Sequence, residues 1–209
     1  RQSPFVYATW IPGLVVGEDQ CQWKVWTKCH FEYDRLPSTF DAAQWNAAHT
    51  EMVQTRAARL TTEGWEVTLE KQNKFRIKSA RTGVVLIGVP DLIAVRGGDG
   101  LVVDEKSGQR RGAHLAQVLL YLTYLPMARP RLKELSLCGE VEYQDGVVLV
   151  PAGAVTAEWG RRFAAAIVQV TTGPEPQRVP SYDECRYCDL AGCPERVTTP
   201  TPDAVTDAF

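Results

Sequence analysis

The chain has 209 residues, a length that suits one well-cored domain rather than two. Hydrophobic residues make up 44% and charged residues 23% of it, and no apolar run approaches the roughly 18 residues of a membrane helix. The first ten residues lack a secretory signal pattern, so we expect a cytoplasmic protein with no membrane partner. A formal net charge of -2 excludes a wholly basic nucleic-acid coat protein but allows a basic groove beside an acidic site.

The first half of the chain predicts a helix followed by strands. An aromatic-rich segment at residues 4–35 precedes apolar residues that recur at helical spacing over residues 41–60. Ser38 and Asp41 are possible caps of this helix, and Gly64 ends its pattern. The predicted strands are Trp65–Leu69, Phe75–Ser79 and the apolar run Val84–Val95.

The second half predicts two hairpins and two helices. The glycine-rich turn at residues 97–100 lets strand Leu101–Lys106 pair back on the preceding strand. A polar loop leads to an apolar helix, His114–Met127, which Pro126 and Pro130 are expected to end. The remaining predicted elements are a hairpin of Leu132–Val141 with Gly146–Val150, a helix over Thr156–Val170, a proline-rich loop, a cysteine segment and a disordered tail over residues 198–209. This order predicts one mixed α/β domain around a central sheet.

Two acidic residues on neighbouring predicted strands indicate a cation site. Asp91 interrupts an apolar strand, where a lone carboxylate is costly to bury without a partner. Because side chains alternate along a strand, Asp104 and Lys106 share one face and Glu105 points away. The hairpin can bring Asp104 beside Asp91, and the two carboxylates would repel each other unless a cation such as Mg²⁺ or Mn²⁺ lies between them. The alternative is a set of solvent-facing acids and a surface salt bridge.

Three further residues are candidates for the same site. His49 lies on the first predicted helix, and its imidazole suits Mn²⁺, although most helical histidines are not ligands. Gln117 and Tyr121 lie four residues apart on the apolar helix and therefore share one face. They either face the site or belong to the edge of the core.

The order and spacing of these motifs carry a resemblance to a known family. The stretches GVPDLIAV, GLVVDEKSG and HLAQVLLYL, with a histidine on a helix upstream, together resemble the RecB-like branch of the PD-(D/E)XK nucleases. The resemblance implies a restriction-endonuclease-like core at residues 40–170, with a central mixed β-sheet flanked by helices. It also implies that His49, Asp91 and Asp104 bind a divalent metal, with the backbone carbonyl of Glu105 as a further contact.

The same resemblance assigns the catalytic and substrate-facing roles. Lys106 would assist hydrolysis beside the two acids, and Gln117 and Tyr121 would line the catalytic site. Arg110 and Arg111 directly follow the strand that carries Lys106, so they must lie near the site. We expect these two arginines to contact DNA phosphates.

Cysteine spacing predicts a metal centre near the C-terminal end. Cys185, Cys188 and Cys193 fall within nine residues, which suits a metal or a cluster better than a disulfide framework. Four thiolates bind either zinc or a 4Fe–4S cluster, and the spacing does not choose between them. The fourth ligand would come from Cys21, Cys29 or Cys138.

One N-terminal cysteine and three C-terminal cysteines around such a core look like the iron–sulfur nucleases. These include the CRISPR-adaptation exonucleases ("Cas-four") and the AddB-type nuclease domain. The resemblance implies a 4Fe–4S cluster that joins residues 5–35 to residues 180–196 within a single domain at residues 1–197, and its ligands would be Cys21, Cys185, Cys188 and Cys193. It favours Cys21 over Cys29, because the family cysteine opens a short basic and aromatic helix. Cys138, in an apolar strand, is expected to be a buried structural thiol.

The resemblance therefore implies a Mg²⁺- or Mn²⁺-dependent deoxyribonuclease. Its expected role is that of a single-stranded DNA exonuclease in CRISPR adaptation or in DNA recombination and repair, alone or in a nuclease/helicase or CRISPR-adaptation complex. The alternatives are a non-catalytic DNA-binding or scaffold module with a structural iron–sulfur or zinc site, and a zinc-stabilised protein-interaction domain. The intact Asp91, Asp104 and Lys106 argue against a module that no longer cleaves, which should lose these residues first.

Overall fold

The backbone forms seven α-helices and eight β-strands within residues 4–37 and 41–200, the part of the chain that the computed structural model describes. The helices are α1 (Pro12–Val16), α2 (Gln22–His30), α3 (Ala42–Thr62), α4 (Glu70–Asn73), α5 (Gly112–Ala128), α6 (Ala157–Thr172) and α7 (Tyr182–Cys185). The strands are β1 (Phe5–Tyr7), β2 (Glu66–Leu69), β3 (Phe75–Lys78), β4 (Val85–Gly88), β5 (Leu92–Arg96), β6 (Asp99–Lys106), β7 (Ser136–Tyr143) and β8 (Gly146–Val150). The expected cap Ser38 and the tail at 201–209 lie outside the described residues.

The strands form two mixed sheets rather than the single central sheet that the sequence predicted. The larger sheet has the order β2-β5-β6-β7-β8, and the smaller has the order β1-β4-β3. Strand β6 is parallel to β7 and antiparallel to β5, as expected for a β5–β6 hairpin that turns at the glycines. The α/β class with mixed sheets and flanking helices is confirmed, whereas the prediction of one sheet is wrong.

Pro90 explains the division into two sheets. The apolar run that predicted one strand over Val84–Val95 breaks at residues 89–91, so β4 and β5 belong to different sheets. Proline has no N–H to donate and interrupts a hydrogen-bonded ladder at this point. The break leaves Asp91 at the start of β5, at the junction of the two sheets.

Helix α5 forms the centre of the core. Its side chains are apolar on nearly all sides, and it packs against both sheets and against α1 and α6. Pro126 does not end this helix as expected, because the helix continues to Ala128. A proline in the last turn removes one intrahelical hydrogen bond and leaves the preceding turns intact. After it, residues 130–134 form a 3₁₀ turn instead of the start of the predicted strand.

Helix α3 covers the opposite face of the larger sheet. Asp41 caps it by accepting a hydrogen bond from the backbone N–H of Gln44 at 2.9 Å, as the sequence predicted. Leu60 at its C-terminal end packs with Leu92 and Val103 of the sheet in a second, smaller core. No helix among the described residues is long and apolar enough to span a bilayer.

Candidate functional site

The two acids of the predicted cation site lie side by side at one end of the β5–β6 hairpin. Leu92 pairs with Val103, so Asp91, one residue earlier, lies opposite Asp104. The Asp91 carboxylate also accepts a hydrogen bond from the backbone N–H of Glu105 at 2.8 Å. The hairpin thus brings the two carboxylates together as the alternation of side chains predicted.

A hydrogen-bonded set of side chains surrounds Asp104. Its Oδ1 accepts a hydrogen bond from the amide of Gln117 at 2.8 Å, and its Oδ2 lies 2.6 Å from Nζ of Lys106. The same Gln117 amide also donates to the Tyr121 hydroxyl at 3.1 Å, and that hydroxyl donates to the carbonyl of Val89 at 3.3 Å. Helix α5 therefore connects its Gln-x-x-x-Tyr face to both acidic segments.

His49 approaches the site from α3. Its Nε2 lies 3.4 Å from Oδ1 of Asp91, and its ring stacks on Trp45 with centroids 5.0 Å apart and planes at 5°. The Trp45 indole N–H in turn donates to the hydroxyl of Ser107 at 3.0 Å. The imidazole is thus fixed between an aromatic ring and a carboxylate, and this hydrogen bond raises its pKa above the usual value.

Burial makes the acidic end of β6 unfavourable for negative charge. Asp104 is 1% exposed, and its burial raises its pKa to about 6, an effect that Lys106 opposes and Asp91 strengthens. Burial lowers the pKa of Lys106, but the contact with Asp104 outweighs it and leaves the pKa raised. Burial also raises the pKa of Tyr121, which keeps its hydroxyl protonated. The positive charge of Lys106 therefore does not fully offset the effect of burial and of Asp91 on the Asp104 carboxylate.

Glu105 points to the opposite face of the sheet, as predicted. There it lies near Glu142 and beside Arg56 of α3, and burial together with Glu142 raises its pKa to about 8. Arg56 forms ion pairs with Glu140 and, at 2.9 Å, with Glu142. Sequence reasoning missed this ionic contact, because nothing local to α3 indicates which strand it covers.

Asn73 is a second residue that the sequence analysis missed. It is fully buried, and its amide donates to the carbonyl oxygens of Thr68 at 2.8 Å and Pro90 at 3.3 Å. The backbone N–H of Glu70 donates to the carbonyl of Asp91 at 2.8 Å. Residues of the short helix α4 thus hydrogen-bond to the backbone of Pro90 and Asp91 and fix its position. The only sequence signal of α4 is an asparagine between two strands, which is common in turns.

The described residues contain no group of three or more His, Cys, Asp or Glu side chains already arranged around a metal position. The Asp104 carboxylate is nevertheless buried beside that of Asp91, and its contact with Lys106 at 2.6 Å does not bring its pKa down to the usual value. Because burial and a neighbouring carboxylate both disfavour the charged form, a cation beside Asp104 and Asp91 would stabilise both. The hard oxygen donors present therefore fit a cation such as Mg²⁺ or Mn²⁺.

The four cysteines assigned to a cluster line one cavity between α2 and the C-terminal segment, and these are Cys21, Cys185, Cys188 and Cys193. No three of them are placed as ligands of a single ion. Cys29 is fully buried in the core instead, and Cys138 lies against the second core with its thiol 3.6 Å from the carbonyl of Gly100. Arg196 donates to the carbonyls of Cys185 and Cys188 and so fixes the loop between them.

Arg110 and Arg111 already have acidic partners. Arg110 pairs with Asp145 at 3.0 Å and Arg111 with Glu18 at 2.9 Å, and each arginine side chain is about half exposed. Glu18 also accepts the N–H of Gly112 at the start of α5. Both arginines follow Lys106 within five residues of the chain, and a phosphate would compete with these carboxylates for their guanidinium groups.

Comparisons with known proteins identify the fold and the superfamily. A solved structure described as "Crystal structure of SSO0001" has a similar fold, with a TM-score of 0.51 and 14% sequence identity. The match covers 95% of this chain and 90% of that one, and at this identity it shows the fold alone. No match was found among the curated proteins. The family model of the PD-(D/E)XK nuclease superfamily matches residues 18–193, a span that includes the predicted catalytic motifs and the cysteines. The chain belongs to the PD-(D/E)XK nuclease superfamily.

Proposed function

We propose that this protein is a RecB-like deoxyribonuclease that hydrolyses DNA phosphodiester bonds with Mg²⁺ or Mn²⁺. The observation that carries the proposal is two groups of contacting side chains that meet at the paired acids. His49 contacts Asp91, whereas Lys106, Gln117 and Tyr121 gather around Asp104. The Asp91 carboxylate also accepts a hydrogen bond from the backbone N–H of Glu105, the residue after Asp104. A surface salt bridge would not need a carboxylate that is 1% exposed.

His49, Asp91, Asp104 and the backbone carbonyl of Glu105 would hold the divalent cation. The chemistry that such a cation supplies is a lowered pKa of water and polarisation of the scissile phosphate. The raised pKa of Asp104 supports this assignment, because burial and the neighbouring Asp91 favour an additional positive charge beside it. The Lys106 ammonium, 2.6 Å from Oδ2 of Asp104, supplies part of that charge.

Lys106 and α5 supply the remaining functions of the site. The Lys106 ammonium, raised in pKa and 22% exposed, can stabilise negative charge on the phosphate while remaining protonated. Gln117 orients the Asp104 carboxylate through its hydrogen bond. Tyr121 supports Gln117 and contacts the Val89 carbonyl beside Asp91, so the two acidic segments keep their relative position.

A 4Fe–4S cluster is the second part of the proposal. Four cysteines around one cavity support it. The same lining holds three cationic side chains, Lys24, Arg178 and Arg196, and two carboxylates, Glu184 and Glu195, so its formal charge is positive by one. Zinc remains the competing centre, and a visible absorption band of the purified protein, expected for iron–sulfur and not for zinc, distinguishes the two. The role of the cluster would be to join the two ends of the chain.

The biological setting follows from family resemblance alone. An exonuclease that acts on single-stranded DNA ends fits CRISPR adaptation as well as recombination and repair, and in both settings a larger complex is a reasonable partner. Arg110 and Arg111 are the residues that we assign to the DNA backbone, because they follow Lys106 within five residues of the chain.

The test is cleavage of end-labelled single- and double-stranded DNA by anaerobically purified protein with Mn²⁺. We expect the wild type to cleave and the double variant Asp104→Ala, Lys106→Ala to be inactive. Lys133→Ala removes an exposed lysine that is not part of the proposed site, and this control should cleave like the wild type. The product ladder gives the polarity. Cleavage that persists in the double variant would show that another site or a contaminant cuts. A wild type that binds DNA but does not cleave it would favour a non-catalytic module.

A further inference from the structure

The first two turns of α3 project beside the site with one large apolar side chain. Residues 41–48 are all exposed, and apart from Trp45 they are small or polar. Trp45 itself is 41% exposed, although an indole gains free energy when it is removed from water. Packing in the hydrophobic core therefore does not explain why a large aromatic side chain lies at the edge of a carboxylate site.

Contacts with His49 and Ser107 help to orient the Trp45 ring. It stacks on His49 at 5.0 Å with nearly parallel planes, and its N–H donates to Ser107 at 3.0 Å. His49 touches Asp91, and Ser107 directly follows Lys106 on the chain. The indole thus contacts His49, a proposed metal ligand, and Ser107, the residue that follows Lys106.

We infer that Trp45 is a stacking site for one nucleobase of the DNA strand, next to the phosphate that is cleaved. The inference rests on the proposed nuclease function and adds to it a base contact. Every base has an aromatic face, so stacking on an indole is tolerant of sequence. Bases in a duplex are already stacked on both faces, so this contact is available only to an unpaired nucleotide.

The neighbouring loop supports the same path for the strand. Residues 107–111 carry Ser107, which holds the indole, and also Arg110 and Arg111. One short segment after Lys106 thus holds the indole through Ser107 and carries two arginines. A strand whose phosphates contacted these arginines would run along the segment that holds the indole.

The test compares two single-stranded oligonucleotides of about a dozen units, a size typical of single-strand sites. One is oligothymidylate, and the other has the same phosphates but a tetrahydrofuran abasic residue at each position. Dissociation constants are measured by fluorescence anisotropy in EDTA, which prevents metal-dependent cleavage. The proteins are the wild type, Trp45→Leu, Trp45→Phe and Tyr187→Leu, which removes an 82% exposed aromatic ring elsewhere.

We expect Trp45→Leu to weaken oligothymidylate binding about 5- to 100-fold, the range of one lost base stack, and to leave abasic DNA binding within about twofold. Trp45→Phe should retain most of the affinity, and Tyr187→Leu all of it. An equal loss for both DNAs, or no loss for either, would overturn the stacking site and reduce Trp45 to a packing partner of His49. Metal-dependent cleavage that is abolished by the Asp104→Ala, Lys106→Ala change would leave the nuclease proposal standing in that case. Absence of both cleavage and DNA binding in the wild type would overturn both.

Discussion

At the scale of single residues, the position of Asp91 depends on groups that lie outside the catalytic motifs. Asn73 donates to two carbonyls, one of them on Pro90 directly before Asp91. Thr68 donates in turn to the Asn73 carbonyl oxygen at 2.6 Å, so both ends of the buried amide are used. Such a fully satisfied buried amide is costly to alter.

We expect Asn73→Asp to lower the free energy of unfolding by about 1–3 kcal/mol, because a carboxylate cannot donate to the two carbonyls and is itself buried. It should also weaken Mn²⁺ binding, since the Asp91 backbone loses its support. Urea unfolding and calorimetric Mn²⁺ titration measure the two effects. Gln144→Glu makes the same chemical change at an exposed turn and should alter neither. Unchanged Mn²⁺ affinity in a folded Asn73→Asp protein would mean that Asp91 does not depend on α4.

Gly88, which opens the GVPD motif, has a steric rather than a conformational role. A Cβ at this position would lie 2.3 Å from the Phe75 ring and 3.1 Å from the Tyr121 ring. These two rings pack edge to face with centroids 6.1 Å apart. The glycine therefore lets the Phe75 ring pack closely against β4 and against the ring of Tyr121. Tyr121 in turn accepts the hydrogen bond from Gln117.

We expect Gly88→Ala to reduce stability by about 1–3 kcal/mol through overpacking and to reduce DNA cleavage as Tyr121 is displaced. Gly98→Ala is the matched control, because a Cβ there meets nothing within 4 Å. Thermal unfolding and the cleavage rate are the measurements. A Gly88→Ala protein as stable and active as the Gly98→Ala protein would show that the rings adjust without cost.

At the scale of elements, helix α3 carries His49 and Trp45 to the site, and its docking depends on Arg56. The guanidinium, on a side chain 10% exposed, pairs with Glu140 and Glu142 of β7 and lowers the pKa of Glu105 against the effect of burial. Three carboxylates on two adjacent strands thus lie around Arg56, and Glu142 also pairs with Arg59 at 2.8 Å. Removing Arg56 would take a cation from Glu105 and Glu140 in a poorly hydrated position.

We expect Arg56→Leu to destabilise the protein by about 3–5 kcal/mol, the cost of breaking a buried ion pair from one side. Arg131→Leu breaks a surface pair with Glu66 whose two side chains are 70% and 69% exposed, and it should cost about 0–1 kcal/mol. Chemical unfolding of both variants at pH 7 gives the comparison. Equal stabilities would mean that the charges near Arg56 are solvated.

The elements also show what the sequence could and could not predict. Local periodicity predicts the β5–β6 hairpin and the alternation of side chains along its strands, so the relative positions of Asp91, Asp104 and Lys106 were predictable. It also predicts that Gln117 and Tyr121 share one face of a helix. The split at Pro90 was visible in the sequence as well, since proline ends a ladder. Contacts of Asn73, Arg56 and Trp45 join segments far apart in sequence, and no local pattern encodes such pairings.

At the scale of the whole molecule, residues 18–35 and residues 181–196 meet beside the cysteine cavity. Glu184 of α7 accepts hydrogen bonds from the backbone of Gln20 and Cys21 and pairs with Lys24 at 3.3 Å. Farther along, Arg35 and Leu190 form a β-bridge. Protein contacts alone therefore join residues 18–35 to residues 181–196, and the proposed cluster would reinforce contacts that already exist.

This arrangement predicts local rather than global unfolding when the cluster is lost. In Cys21→Ala the visible absorption band should disappear. Amide protection in residues 18–35 and 181–196 should fall at least about tenfold, or about 1.4 kcal/mol, while β5 and β6 remain protected. Hydrogen exchange read by mass spectrometry compares this variant with Cys138→Ala, whose thiol lies away from the cavity and which should keep the band and the protection. Retention of the band in Cys21→Ala would remove this cysteine from the ligand set. Equal loss of protection in β5 and β6 would instead show that these two segments and the catalytic hairpin unfold as one unit, because cluster binding would then stabilise the entire fold.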